Sequence, residues 1–486
     1  MTAAKQSRVT GALALMISQS LVLLLGYITH PLVGRVLGPR QYGIYGVVLA
    51  VQTIAGLLLT LGVPTSLSRY VAQNESQAQG ILRQALKLQT LITLVVSGLT
   101  LLLAPIIATV LDDTTLTPLL RFVALVVFAQ SFYNIFTQFL SGMHRFNRQA
   151  VLTTFYAVVK LISAVGLLFV IGVYGAFAGF GIGGILAAGL GWFWARRMGG
   201  DKPSSVPTKS LLSFASLYVL TLFGLQIVMS LDLFMVKAFL HDDTLAGFYS
   251  AASTLGRIPY LLLQGIAFVI LPSVSALTKP GADHNTAASF IRDTLRYLIG
   301  LIVPATALAA ATSENLVTLF FSAQYAPASA PLTILMIGLG ALAFYLLITN
   351  IVAGAGKAHV SLFVTMIMVA VSALAGYILI PRYNTIGAAW QTSIASVLGL
   401  VILSFYTFKT FRIPVPVIST ANILIASSVA VSLTYLWQAT PLTLIPQYIA
   451  AFLVYGAVLW LLGEIKPRDR HLVSRLHPKL KWIARY

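Results

Sequence analysis

Residues 34–46 read GRVLGPRQYGIYG. The stretch joins two apolar runs, 11–34 and 42–63. Each run is long enough to cross a bilayer, which takes about 20 mostly apolar residues in a helix. Gly38-Pro39 makes a tight turn between them, because glycine accepts backbone angles closed to other residues and proline cannot continue the preceding helix. Two arginines, Arg35 and Arg40, sit in this one turn. Charge between two membrane spans fixes their orientation or does local work, so this turn anchors the reading of the whole chain.

Working outward by the same rule gives about fourteen spans in all. After the first two come 87–111, 117–141, 149–172, 174–195, 211–238, 247–274, 294–321, 329–353, 359–381, 386–408, 418–437 and 443–463. Loops between them are short. The composition agrees: 58% of the 486 residues are hydrophobic, 9% are charged, and the mean hydropathy is +0.90. A soluble domain carries about 25% charged residues. The expected fold is therefore an all-α polytopic membrane protein. The N-terminal apolar run has no small-residue cleavage pattern and is read as the first span. With no cysteine, disulfides, thiol nucleophiles and cysteine-bound metals are excluded.

The net charge of +19 comes from 31 Lys+Arg against 12 Asp+Glu. In a soluble protein this would suggest nucleic acid. Here the cations fall between spans, and no nucleic-acid partner is expected. Counting from a cytoplasmic N-terminus, one side holds Lys5, Arg8, Arg83, Lys87, Arg145, Arg148, Arg196, Arg197 and the tail KPRDRHLVSRLHPKLKWIARY, among others. The other side holds only Arg35, Arg40 and Arg382, with Lys237 at a helix end, and the acidic pairs Asp112-Asp113 and Asp242-Asp243. Basic loops stay in the cytoplasm. Both termini are expected there, in a multi-pass protein of the cell membrane, and the opening turn faces outward against the trend.

The chain also restates itself. LSGMHRFNRQA aligns with VAGAGKAHVSL at a constant offset of 212, pairing Gly142 with Gly354, Arg145 with Lys357, and Gly175-Ala176 with Gly387-Ala388. YGIYGVVLAV at 42 aligns with AGFYSAASTL at 246, pairing Gly43 with Gly247 and Tyr45 with Tyr249. Two six-helix lobes of equal orientation follow: residues 1–197, a polar cytoplasmic linker at 198–210, and residues 211–412. Residues 413–486 add two helices and the basic tail. Transporters of parallel-repeat plan bind near the midplane between lobes and rock to alternate access.

These stretches carry a resemblance. RVLGPRQYGIYG, GVPTSLSRYVA, SGMHRFNRQA, LDLFMVKAFLHDDTLAGFYSAAS and IVAGAGKAH make the sequence similar to the oligosaccharide (O-antigen type) flippases of the polysaccharide transporter family. That family belongs to the multidrug/oligosaccharidyl-lipid/polysaccharide exporter superfamily. The resemblance covers essentially the whole chain. It implies two lobes around a central cavity and a carrier moving a polyprenyl-diphosphate-linked oligosaccharide from the inner to the outer leaflet. Polysaccharide polymerases and glycosyltransferases are expected as functional partners, with no cofactor beyond a proton or sodium gradient, and a monomer in the membrane lipid is the default because one chain supplies both lobes.

Charges inside the spans are the candidate site, since a buried charge costs at least ~2.5–3.5 kcal/mol at a helix centre. Lys160 lies near the middle of the fifth span. Arg35, Arg121, Arg257 and His30 lie toward the outer side. Arginine forks match phosphate oxygens, so these residues with Lys160 are expected to meet the diphosphate and sugars. Arg40 is assigned to the lipid head groups. Asp232, the only carboxylate well inside a span, either pairs with Arg257 or couples a proton or sodium ion. Glycines in GAFAGFGIGGILAAGLG are read as close helix packing. No GxxxxGK[ST], HExxH or nucleophile elbow occurs, so no enzyme is expected. The alternatives are a drug/cation antiporter of the same superfamily, which usually places a carboxylate in its first lobe, and a membrane polysaccharide polymerase or ligase, which usually needs a long external loop.

Overall fold

The structure is a computed structural model that describes residues 3–200, 202–204, 206–208, 211, 217–263, 284–411, 417–437, 440–441 and 443–464. The end of the eighth predicted span, part of the 198–210 linker and the basic tail from 465 lie outside these residues. Among the described residues the architecture is all-helical. The helices are α1 (Ala3–Leu61), α2 (Val63–Gln73), α3 (Ala78–Val110), α4 (Thr117–Gly142), α5 (Phe146–Ile171), α6 (Val173–Ala195), α7 (Leu217–Leu240) and α8 (Asp243–Gly256). They continue with α9 (His284–Ala311), α10 (Ser313–Phe320), α11 (Ser329–Gly354), α12 (Ala358–Phe411), α13 (Val417–Leu436) and α14 (Leu444–Leu461). Among the described residues, eleven helical stretches are long and apolar enough to span a membrane. Two of the helices, α1 and α12, each carry two predicted spans joined at a kink.

The opening turn is the first kink. Helix α1 runs unbroken through it except at Gly38, where φ is 71° and ψ 169°. Glycine takes that positive φ without a Cβ penalty, and Pro39 then starts the next helical segment. The second kink sits at Asn384, with φ 50° and ψ −132°.

The internal repeat is written into the backbone. Gly172, between α5 and α6, has φ 59° and ψ −136°, which are nearly the angles of Asn384, 212 residues on. His144 (φ 54°) and Gly356 (φ 78°) are likewise 212 apart. Each ends a helix in the left-handed conformation with the same closing bonds. Arg145 N donates to Leu140 O at 2.9 Å, and Lys357 N donates to Val352 O at 3.0 Å. Such left-handed caps satisfy the last helical carbonyls.

The chain divides into two compact units, residues 1–254 with 361–391, and residues 255–360 with 392–486. The units interleave along the sequence, whereas the predicted lobes are consecutive. In the first unit, α4 packs on α3 and α6, and α5 packs on α1 and α6. Leu67, Ile81, Phe136, Phe139 and Leu152 form its core. The YGIYG stretch supplies its tightest crossing. A Cβ on Gly43 would lie 2.0 Å from Asp243 O, and one on Gly247 would lie 1.9 Å from Pro39 O. The two repeat-matched glycines therefore pack α1 and α8 backbone to backbone, each against the residue four before its partner. In the second unit, α9, α11, α13 and α14 pack together around Leu308, Ala426, Ala430 and Ala451. There Arg296 Nε donates to Glu464 Oε1 at 2.7 Å and Tyr455 Oη donates to Gly300 O at 2.7 Å. The outer surface of many helices is apolar: Leu102, Val110, Ile162, Phe169 and Leu453 are exposed, as lipid-facing positions should be.

Candidate functional site

A cavity of about 300 Å³ opens in the first unit among α1, α4, α5 and α6. Its polar lining comes from Gln52 and Thr53 of α1, Gln130, Tyr133 and Asn134 of α4, and Tyr156 of α5. Phe180 of α6 completes the wall. Tyr133 and Tyr156 stack with centroids 4.3 Å apart and planes 15° apart. Gln52 Nε2 donates to Gln130 Oε1 at 3.3 Å. Gln52 Oε1 is buried with no hydrogen-bond partner among the described residues.

Lys160 does not itself line this cavity but lies next to two residues that do. Its Nζ is 5.0 Å from the centroid of Phe180 and 5.7 Å from that of Tyr156, both cavity residues. A cation within about 6 Å of a ring face is attracted by its quadrupole. No carboxylate pairs with Lys160 among the described residues. The glycine-rich helix α6 makes this arrangement possible. A Cβ on Gly184 would meet Gln130 Cα at 2.5 Å, and one on Gly183 would meet Lys160 Cβ at 3.2 Å. Small residues let α6 lie directly against the backbones that carry Gln130 and Lys160.

The other predicted residues do not join this cavity. His30 is near Tyr45, with Nδ1 3.4 Å from the phenol oxygen. Arg35 and Arg121 are exposed on α1 and α4, and neither lines the cavity. Asp232 is buried, and its Oδ2 accepts from Tyr249 Oη at 2.6 Å while Oδ1 accepts from Leu233 N at 2.7 Å. Arg257 belongs to the second compact unit. Sequence reasoning named Lys160 but missed Gln52 and Gln130. Both are amides within apolar spans, which was a usable signal.

A second polar cluster gathers charges from three turns. Lys237 at the end of α7 has a side chain only 4% exposed. Its Nζ donates to Asp113 Oδ2 at 2.7 Å and also to Asp243. Arg40 Nε lies 3.7 Å from Asp243 Oδ2, and His241 Nδ1 lies 2.9 Å from Asp112 Oδ2. Arg40, assigned from sequence to the lipid head groups, is thus drawn to a protein carboxylate, although its side chain stays 80% exposed. The cluster ties the kink of α1, the α3–α4 turn and the α7–α8 turn together, beside the glycine crossing.

Burial pushes the Asp113 carboxyl up, but hydrogen bonds from Lys237 and Thr115 outweigh it and hold the group below the usual carboxylate range. A lowered folded value stabilises the protein above the ordinary value of 3.8. That contribution is lost as pH falls through the lowered value. Asp113→Asn is therefore expected to cost about 1 kcal/mol at neutral pH. Melting curves of the two proteins should converge as the pH drops below the ordinary carboxylate range. A gap that stays constant down to low pH would contradict the pairing.

Comparisons with known proteins place this geometry. Residues 9–278 match the family model described as polysaccharide biosynthesis protein. No curated protein matches by sequence. Among solved structures, the lipid II flippase MurJ in an inward closed conformation aligns with a TM-score of 0.71 at 17% identity, covering 94% of this chain and 99% of that one. An inward-facing multidrug resistance MATE family transporter aligns at 0.63 and 17% identity, covering 81% and 94%. A MOP superfamily transporter from Pyrococcus furiosus, reported with a binding pocket of reverse polarity, aligns at 0.60 and 16%, covering 84% and 96%. The likenesses show a shared fold, and the match over more than half its length makes this chain a member of the polysaccharide biosynthesis protein family.

Proposed function

We propose that this chain is a flippase of the cell membrane that moves a polyprenyl-diphosphate-linked oligosaccharide from the inner to the outer leaflet by alternating access. The observation that carries the reading is Lys160, an ammonium without a carboxylate partner among the described residues, set over two rings that belong to an amide- and phenol-lined cavity. A diphosphate supplies the missing anion. Amides and aromatic faces suit sugar hydroxyls and the apolar faces of sugar rings. The family match supports polysaccharide assembly as the setting.

The drug/cation antiporter keeps support from the MATE likeness. Its cationic substrate would meet repulsion at Lys160, and the first predicted lobe has no acidic residue within a span to offset it. Arg35, Arg121, Arg257 and His30 remain proposed contacts along the substrate's outward path. Asp232 remains either a coupling site or a structural acid. The Lys237 cluster and the glycine crossing tie the two predicted lobes together on the predicted outer side. Outward opening in this reading requires both to part.

Purified protein titrated with a short polyprenyl-diphosphate oligosaccharide, against a cationic drug as competitor, tests the substrate class. Retention of the lipid-linked sugar without displacement by the drug is the expected result. Saturable binding of the cation alone would favour the antiporter.

A further inference from the structure

Three of the four cations assigned to the outer side have protein surroundings that account for them or are part of the proposed substrate path. Lys237 and Arg40 meet Asp113 and Asp243, and Arg35 lies on that path. Arg382 differs. It is exposed, and no carboxylate pairs with it among the described residues. It stands just before the kink of α12, where it lines a hollow of about 460 Å³ between the end of α7 and the first half of α12. His241 lines the same hollow. Its Nδ1 is held by Asp112 at 2.9 Å, so the ring is oriented through one nitrogen and the other is left to a ligand.

The remaining wall is apolar and open to the surroundings. Phe239 and Tyr377 meet edge to face, 6.1 Å between centroids. Tyr377 is 69% exposed and Ile378 is 43% exposed. A cation at one end of an exposed apolar and aromatic wall is an amphipathic site. Free phosphate would use the cation and leave the wall in water. A phospholipid uses both, placing its phosphate at Arg382 and its glycerol and upper acyl chain along Phe239, Tyr377 and Ile378. Arginine's fork is suited to phosphate oxygens, and aromatic side chains favour the head-group level.

We infer that this hollow is a binding site for one anionic phospholipid of the outer leaflet, with Arg382 as its phosphate contact and His241 as a second donor. The site is separate from the Lys160 cavity and does not depend on the transported substrate. The carboxylate of Asp112, beside His241, is engaged by that ring.

The test is native mass spectrometry of the full chain released from detergent containing phosphatidylglycerol, phosphatidylcholine, inorganic phosphate or a polyprenyl diphosphate. One phosphatidylglycerol is expected to be retained in preference to phosphatidylcholine. Arg382→Gln should weaken it at least tenfold, Arg382→Lys less, and Arg69→Gln, at a predicted cytoplasmic cation, not at all. Thermal melting of Arg382→Gln should match the wild type, since the side chain is exposed. Equal retention of the two phospholipids, or equal retention by Arg382→Gln and wild type, would overturn the site. Displacement by inorganic phosphate at similar concentration would reduce it to a bare anion site and overturn the lipid assignment. Exclusive retention of the polyprenyl diphosphate would do the same by making it a substrate station.

Discussion

Lys160→Ala is expected to cut lipid-linked sugar translocation at least tenfold without lowering the protein's melting temperature. The ammonium has no carboxylate to leave stranded, so its removal exposes no buried unpaired partner. What it loses under the proposed function is a charge-assisted hydrogen bond to the substrate's phosphate, worth about 1.5–3 kcal/mol. That corresponds to a roughly 10- to 100-fold loss of affinity or rate. Lys160→Arg should retain part of the activity, because charge survives while the geometry over Tyr156 and Phe180 changes. Lys160→Met, similar in volume and uncharged, should behave like alanine. Transport in reconstituted vesicles and thermal melting of the same preparations check both halves. A variant that transports normally, or one that fails only because it unfolds, would remove Lys160 from the site.

The second large effect is expected at the glycine crossing. A methyl group on Gly43 or Gly247 would stand 2.0 or 1.9 Å from a backbone carbonyl oxygen of the facing helix. Backbone cannot rotate aside as a side chain can, so α1 and α8 must separate. Overpacking of this kind costs about 3 kcal/mol. Gly43→Ala and Gly247→Ala should each lower the melting temperature by several degrees, and the pair should cost less than the sum, since either one already parts the helices. Gly98→Ala on α3 is the control. Nothing lies within 4 Å of the Cβ it would add, and alanine favours a helix by about 1 kcal/mol over glycine. It should be neutral or mildly stabilising. Equal melting for all these variants would contradict the close crossing.

Much of this architecture was legible because it is local or periodic. Apolar runs located the spans, since a bilayer imposes a minimum length on any helix that crosses it. The 212-residue offset was legible from matched residues such as Gly142 and Gly354, while Gly172 and Asn384 share their angles without sharing a side chain. The glycines of α6 were readable as a packing face, and they do admit Gln130 and Lys160. Lys160 itself stood out as a charge in mid-span. Two things were not legible. The GRVLGPRQYG stretch reads as a loop between two helices, yet one left-handed glycine is enough to kink α1 while the helix continues on both sides. The grouping of Arg40, Asp113, Lys237 and Asp243 joins turns that are far apart in sequence. No local pattern announces such pairing; it follows only once α1, α3 and α7 are packed. Gln52 and Gln130 fall between these cases, visible as polar residues but indistinguishable from ordinary interhelical hydrogen bonding until their shared cavity is seen.

Complementation measures the central claim most directly. A bacterial strain lacking its own O-antigen flippase would receive the wild-type gene or the Lys160→Ala copy, with surface polysaccharide stained and membrane expression checked for both. The predicted result is restored surface polymer with the wild type and strongly reduced polymer with the equally expressed variant. Restoration by both would make Lys160 structural and move the substrate site elsewhere. No polymer from a well-expressed wild type across recipient strains that differ in their sugar repeat, together with saturable export of a cationic drug, would contradict the flippase.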